Sequence, residues 1–340
     1  MSVNLSLFDF ELSPHLIAQS PTTPRDASCL MILNRYTKSI IHETFKNLTS
    51  YLSSGDLLVM NNSRVLPARL FATGANKIQM EFLLIKQHQP HMWEVMVKPG
   101  KRAKIGSTFE FEAVRGEIIQ IFPNGHRLVK FTSSGDLLKT LEKIGNIPLP
   151  PYIKSKLEDV ERYQTIYSKS PGSIAAPTAG LHFTAEIFNK LIANNISVAC
   201  VTLHVGLGTF KPVKVSDITK HQMHEETFTL PKETAQKIIQ TKNSGGRVIA
   251  VGTTSCRVLE SVWQRHKKIQ AEAGTTNIFI YPGYKFKVID GLITNFHLPK
   301  STLLMLVSAF AGRKFILGAY LNAIENHYRF LSFGDAMLIL

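Results

Sequence analysis

Three cysteines in 340 residues, Cys29, Cys200 and Cys256, are too few and too scattered for a disulfide framework, and no C-x-x-C spacing offers a thiolate zinc site. Such usage fits a reducing cytoplasm. Long apolar runs are also lacking: the longest, Leu303 to Ala311, is broken by Ser308 and falls far short of the roughly 20 residues that cross a bilayer. The opening MSVNLSLFDFELS has neither the basic start and apolar run of a secretory signal nor the acid-free composition of a transit peptide. The expectation is a soluble, cytoplasmic chain that does not engage a membrane. Acid is scarce: 25 Asp and Glu stand against 39 Lys and Arg, a formal charge of +14. That excess favours a polyanionic partner through counterion release, without distinguishing RNA, DNA and acidic lipid.

What is present is enough apolar material, 44% of the chain, for one large core or two. From Val65 to Phe131 short alternating segments (Ile78 to Ile85, Trp93 to Val97, Phe109 to Val114, Leu128 to Phe131) are punctuated by Pro99-Gly100 and Asn124-Gly125. Five or six short strands so closely spaced predict a small antiparallel barrel, which removes its own edges. The flanks alternate helix and strand: helical Ala185 to Asn194 then strand Ser197 to Val205, helical Lys232 to Lys242 then strand Arg247 to Val251. The fold class is mixed α/β (α+β), a mixed sheet or partial barrel flanked by helices. Residues 1–69 and 148–340 are expected to form one discontinuous core domain, with residues 70–147 inserted as the barrel. Eleven Lys or Arg against seven Asp or Glu between Phe71 and Asn146 make the insert no more basic than the chain average. The cluster Lys98, Lys101, Arg102 and Lys104 reads as solvated surface or as a phosphate contact.

Chemistry concentrates in a few segments. Gly172 to Thr184 crowds small residues into a loop that enters a helix, with Thr184 as cap and His182 just ahead of the positive helix end, where a neutral imidazole is favoured. His182 reads equally as a proton acceptor and as a hydrogen-bonded spacer. His204 ends a β-branched strand and runs into Gly206-Leu-Gly208, at the strand end where α/β proteins bind ligands. No third glycine opens a helix, so no dinucleotide site is expected. In His221-Gln-Met-His224-Glu225-Glu226 the spacing is wrong for H-E-x-x-H, and the cluster suits acid/base work or a cationic substrate as well as a metal. Gly252-Thr253-Thr254-Ser255 lies between a strand and a helix, which suits either an anion or simple capping, and Arg257 one turn later favours the anion. Tyr281, Tyr284 and Phe296 are candidates to stack on a purine, against the commoner core reading. Leu303 to Ala311 reads as buried helix.

Taken together, Ala18-Gln19 with Arg25-Asp26, Gly55 to Arg69, Ala175 to Thr184, His204 to Phe210, Met223-His224-Glu225, Gly252 to Arg257 and Thr294 to Gly312 resemble the S-adenosylmethionine:tRNA ribosyltransferase-isomerases of queuosine biosynthesis. The resemblance runs from Phe8-Asp-Phe10 to Gly334-Asp-Ala-Met-Leu-Ile339. It departs at Cys29, where the family pattern usually carries arginine, and at Glu226, an added negative charge.

The resemblance implies a β-barrel insert and transfer of the ribosyl part of S-adenosylmethionine to a 7-aminomethyl-7-deazaguanine at the tRNA wobble position, releasing adenine and methionine and leaving epoxyqueuosine. No metal or redox cofactor is implied, and a monomer is expected. On this reading His182, His204, His224 and His297 serve proton transfer, and Asp290 and Glu225 face positive charge. Thr178, Gly180, Gly206, Gly208, Thr253, Thr254, Ser255 and Arg257 bind S-adenosylmethionine, the last four through its carboxylate. Asn61, Asn62, Ser63, Arg64 and Arg69 contact the tRNA. The rival readings are a metal-dependent hydrolase built on His204, His221 and His224, and a non-catalytic RNA-binding module.

Overall fold

A computed structural model describes residues 3–73, 79–206, 208 and 212–340, the Leu138 side chain excepted. In chain order the strands and helices are β1 (Cys29–Leu33), β2 (Ile40–Thr44), β3 (Leu57–Asn61), β4 (Ser63–Val65), β5 (Arg69–Thr73), β6 (Gln79–Gln89), β7 (Met92–Lys98), β8 (Thr108–Phe111), β9 (Val114–Ile121), β10 (Arg127–Ser133), α1 (Leu137–Ile144), β11 (Ser170–Ser173), α2 (Ala185–Ala193), β12 (Ser197–Leu203), β13 (Glu226–Leu230), α3 (Lys232–Asn243), β14 (Val248–Val251), α4 (Gly252–His266), β15 (Glu272–Thr276), β16 (Gly291–Asn295), α5 (Thr302–Ala311), α6 (Arg313–Glu325) and β17 (Ala336–Ile339). They fall into two compact units, one of residues 1–64, 150–170 and 176–340, the other of residues 65–149 and 171–175.

The larger unit is built on a nine-stranded sheet of order β15-β13-β12-β3-β14-β16-β17-β1-β2. Its centre, β12, β3, β14 and β16, is parallel. Parallel strands are covered on both faces, which is why β3, β14 and β16 are buried at every position and β14 reads as a continuous apolar run. The direction reverses at β13 and β15 on one side and at β17 on the other. Leu58, Met60, Ile249, Val251 and Ile293 pack with Phe183, Ile187 and Leu191 of the α2 region in one core cluster. Because β12, β3, β14 and β16 all point the same way, the segments after Leu203, Asn61, Val251 and Asn295 emerge at one edge of the sheet.

The smaller unit is a closed antiparallel barrel, β10-β7-β6-β5-β8-β9. Alternation along β9 turns Val114, Gly116 and Ile118 inward, and Phe82, Phe109, Phe111 and Phe131 meet edge-to-face in its core. A Cβ on Gly116 would stand 3.0 Å from both Phe111 and Val129, so glycine admits the aromatic there. The expected single strand Phe109 to Val114 is two strands joined by a turn at Glu112, whose φ is +42°. Lys98, Lys101, Arg102 and Lys104 are exposed on this unit. Ile78 of the expected first barrel strand, and Leu207, Thr209 and Phe210 of the glycine turn, lie outside the described residues.

Among the described residues no single helix is long and apolar enough to span a membrane; α5 and α6 are bent by 114° at Gly312. Leu304 to Ser308, Phe310 and Ala311 of α5 are buried, as its composition predicts.

Candidate active site

Four segments leave the common edge of the parallel strands and wall a cavity of about 390 Å³, within the range of small-molecule sites. Gly208 follows β12, Arg257 follows β14 on α4, Thr302 and Leu303 open α5, and Lys214, Lys220, His221, Met223, His224 and Glu226 come from the chain leading into β13. The antiparallel pairing of Leu203 with Phe228 explains the last group, because it lays the start of β13 beside the end of β12.

Arg257 and Glu226 form a buried ion pair in this wall, 5% and 6% exposed. Glu226 also accepts the Gly206 N–H at 3.2 Å, so one carboxylate ties the glycine turn to α4. Among the described residues the Arg257 Nε and Nη2 groups are buried without a partner, as are Thr254 Oγ1 and His204 Nδ1, all on segments that follow β12 or β14. Unpaired buried polar groups are scarce in folded proteins, and of these residues Arg257 lines the cavity. His224 lies against Gly208: a Cβ there would come within 2.2 Å of the His224 ring. Beside it, burial and the neighbouring His224 charge lower the His221 pKa. Burial lowers that of His204 as well.

At the ends of β16 and β17 a second group is closed on itself. The Thr178 hydroxyl donates to Asn295 Oδ1 (2.8 Å), which fixes the amide, so Asn295 Nδ2 donates to His182 Nε2 (3.2 Å) and to the Asp335 carbonyl (3.3 Å). His182 Nδ1–H then donates to Ser28 Oγ at 2.7 Å, and the ring stacks on Phe45. Burial, with the Arg329 and Arg25 charges, pushes the imidazole down to about 3. His182 is therefore neutral, and its lone pair is held by Asn295. His297 is likewise buried and pushed to about 3, its Nε2 bonded to Thr294 Oγ1.

Several expected contacts stand elsewhere. Asp290 precedes β16 and sits at the opposite edge of the sheet, where it accepts the Val248 N–H and pairs with Lys242, so it cannot face a substrate in this cavity. Glu225 points to the Thr275 hydroxyl and is exposed; its neighbour Glu226 lines the cavity instead. Phe296 is fully buried among Tyr320, Tyr328 and Phe330 and offers no stacking face, whereas Tyr284 is half-buried with its hydroxyl donating to the buried Glu260. Asn61 and Ser63 are fully buried, and Asn61 is spent on Leu203 and Ser63 backbone groups, which removes both from RNA contact. Asn62 accepts from Thr202, Arg64 pairs with Glu161, and Arg69 pairs with Glu81. Gly180 leaves room for Tyr167, whose hydroxyl lies 2.0 Å from where a Cβ would stand. The helix at Gly252-Thr253-Thr254-Ser255 starts at Gly252, earlier than expected, with no side-chain cap; Ser255 bonds back to the Val251 carbonyl. Cys29 is exposed, its N–H held by Asp335. Among the described residues no three His, Cys, Asp or Glu side chains converge as metal ligands.

The family model for the queuosine biosynthesis protein matches residues 5–339. The chain belongs to this family. Members of the queuosine biosynthesis family named S-adenosylmethionine:tRNA ribosyltransferase-isomerase from Acetivibrio thermocellus and Clostridium kluyveri are each 52% identical to it, over 99% and 98% of this chain and 100% and 98% of theirs. The one from Desulforamulus reducens is 53% identical over 99% of this chain and 100% of its own. A crystal structure of S-adenosylmethionine tRNA ribosyltransferase from Thermotoga maritima is 40% identical, covers 98% of this chain and all of that one, and superposes with a TM-score of 0.58.

Proposed function

We infer that the chain is an S-adenosylmethionine:tRNA ribosyltransferase-isomerase, which moves the ribosyl moiety of S-adenosylmethionine onto 7-aminomethyl-7-deazaguanine at the tRNA wobble position and releases adenine and methionine. The observation that carries this reading is the histidine-lined cavity with its buried Arg257–Glu226 pair, in a chain matched end to end by relatives of that name. The sulfonium of the donor acidifies the adjacent ribose carbon, so the reaction needs a base, an acid for the departing purine and a fixed donor. His224 and His221, at the cavity, and His204, with its free Nδ1, are the proton carriers on this reading. His182 and His297 hold the floor of the sheet edge in neutral form. Gly206, Gly208, Thr253 and Thr254 shape the donor site, and the charge of +14 supports attraction of the tRNA. The enzyme acts in the cytoplasm as a monomer, without a metal or redox cofactor. Incubation with tRNA bearing the aminomethyl-deazaguanine and S-adenosylmethionine is expected to give free adenine, free methionine and a heavier tRNA nucleoside by mass spectrometry. A folded protein that releases neither product overturns the assignment.

A further inference from the structure

We propose that Arg257, held in place by Glu226, receives the α-carboxylate of the sulfonium donor, so that the enzyme selects an amino-acid sulfonium over its decarboxylated form. The inference rests on the donor reading above and takes the expected carboxylate contact further, to the residue that positions it and to one specificity. Arg257 is 5% exposed in the cavity wall, and among the described residues only its Nη1 has a partner, Glu226. A buried guanidinium with two unsatisfied N–H groups is costly, and the Nε–Nη2 edge left over is the edge that grips a carboxylate through two parallel hydrogen bonds.

The surroundings point the same way. Arg257, Lys214 and Lys220 line the cavity with a single carboxylate among the described residues, Glu226, and that one is committed to Arg257 and Gly206. The uncapped first turn of α4 adds its own positive potential one turn away. An oxyanion is the ligand group such a wall favours. Glu226 holds the guanidinium through Nη1 and leaves the Nε–Nη2 edge uncommitted, which makes Glu226 a positioning residue.

The test compares S-adenosylmethionine with decarboxylated S-adenosylmethionine, at saturating modified tRNA, by adenine release. In the unaltered enzyme kcat/KM is expected to favour the carboxylated donor by about a hundredfold. Arg257→Gln should cost the carboxylated donor about as much and leave the decarboxylated one within a few-fold, so that the preference collapses. Glu226→Gln should raise KM for the carboxylated donor with kcat largely kept. Arg257→Lys, which retains the charge and packs a similar stem, should lose most of the preference too, and serves if the Gln variant does not fold. A preference that survives in both arginine variants overturns the proposal. So does a rise in KM for tRNA in place of that for the donor, which would make Arg257 a phosphate contact. Equal use of both donors by the unaltered enzyme defeats this inference alone, whereas no adenine from either donor defeats the functional reading beneath it.

Discussion

His224 owes its place to a missing side chain. With a Cβ at Gly208 only 2.2 Å from its ring, Gly208→Ala must push the imidazole out of the cavity wall. Steady-state assay of that variant should show kcat/KM reduced by about tenfold or more, with the melting temperature within a few degrees of the parent. His182 and His297 make a different prediction. Both are neutral in the fold with pKa values near 3, against about 6.5 when unfolded, so the unfolded chain binds more protons between those limits. Their contribution is fully present above pH 6.5 and is lost as pH falls towards 3, at up to ~1.4 kcal/mol per pH unit for each. Urea midpoints should therefore drop from pH 7 to pH 4, and drop less steeply in His297→Leu; an unchanged slope would contradict the neutral buried imidazole.

Pairs of elements are joined by single polar residues. Asn295, at the end of β16, connects the 178–182 loop to β17 through Thr178, His182 and Asp335. Asn295→Ala strands these buried groups at once, and chemical denaturation should register a loss of about 2–4 kcal/mol. Gly180→Ala drives a methyl into Tyr167 and is expected to cost about 1–3 kcal/mol, with Tyr167→Phe recovering part of it. These joints also show what was legible beforehand. Periodicity located α2, α3 and β12 to within a residue or two, because their patterns are local. In the sequence Glu226 is only an added negative charge in a His/Glu cluster, because its importance comes from β13 folding back along β12 and meeting α4, a relation no spacing encodes. Asp290 was misassigned although a signal existed: it precedes its strand, Gly291–Asn295, and in a parallel sheet that is the edge away from the ligand. Asn61 looked like surface among polar neighbours, and only the sheet order, with β3 at the centre, buries it.

Over the whole molecule, the strand-rich insert and the alternating flanks were readable as a barrel and an α/β core because turn spacing and period report on fold class. The site was not, since its residues come from four separate segments. Charge is a property of this scale as well. At +14 the protein should lose tRNA affinity by about tenfold or more between roughly 50 and 200 mM salt, with a linear log–log plot. Replacing Lys101 and Arg102 together by Ala tests whether the exposed turn contributes: a shallower slope places phosphate there, and an unchanged one leaves it as solvated surface.

Strand β17, residues 336–339, lies between β16 and β1, so the β1–β2 hairpin reaches the rest of the sheet only through it. During synthesis the hairpin is complete by Thr44, yet its docking partner is made almost three hundred residues later, a wait of roughly 15 to 60 s at ordinary rates of synthesis. Throughout that time the nascent chain carries an apolar edge, Leu30 to Leu33, with nothing to pair against. Until β17 is made, the β1–β2 hairpin cannot join the nine-stranded sheet.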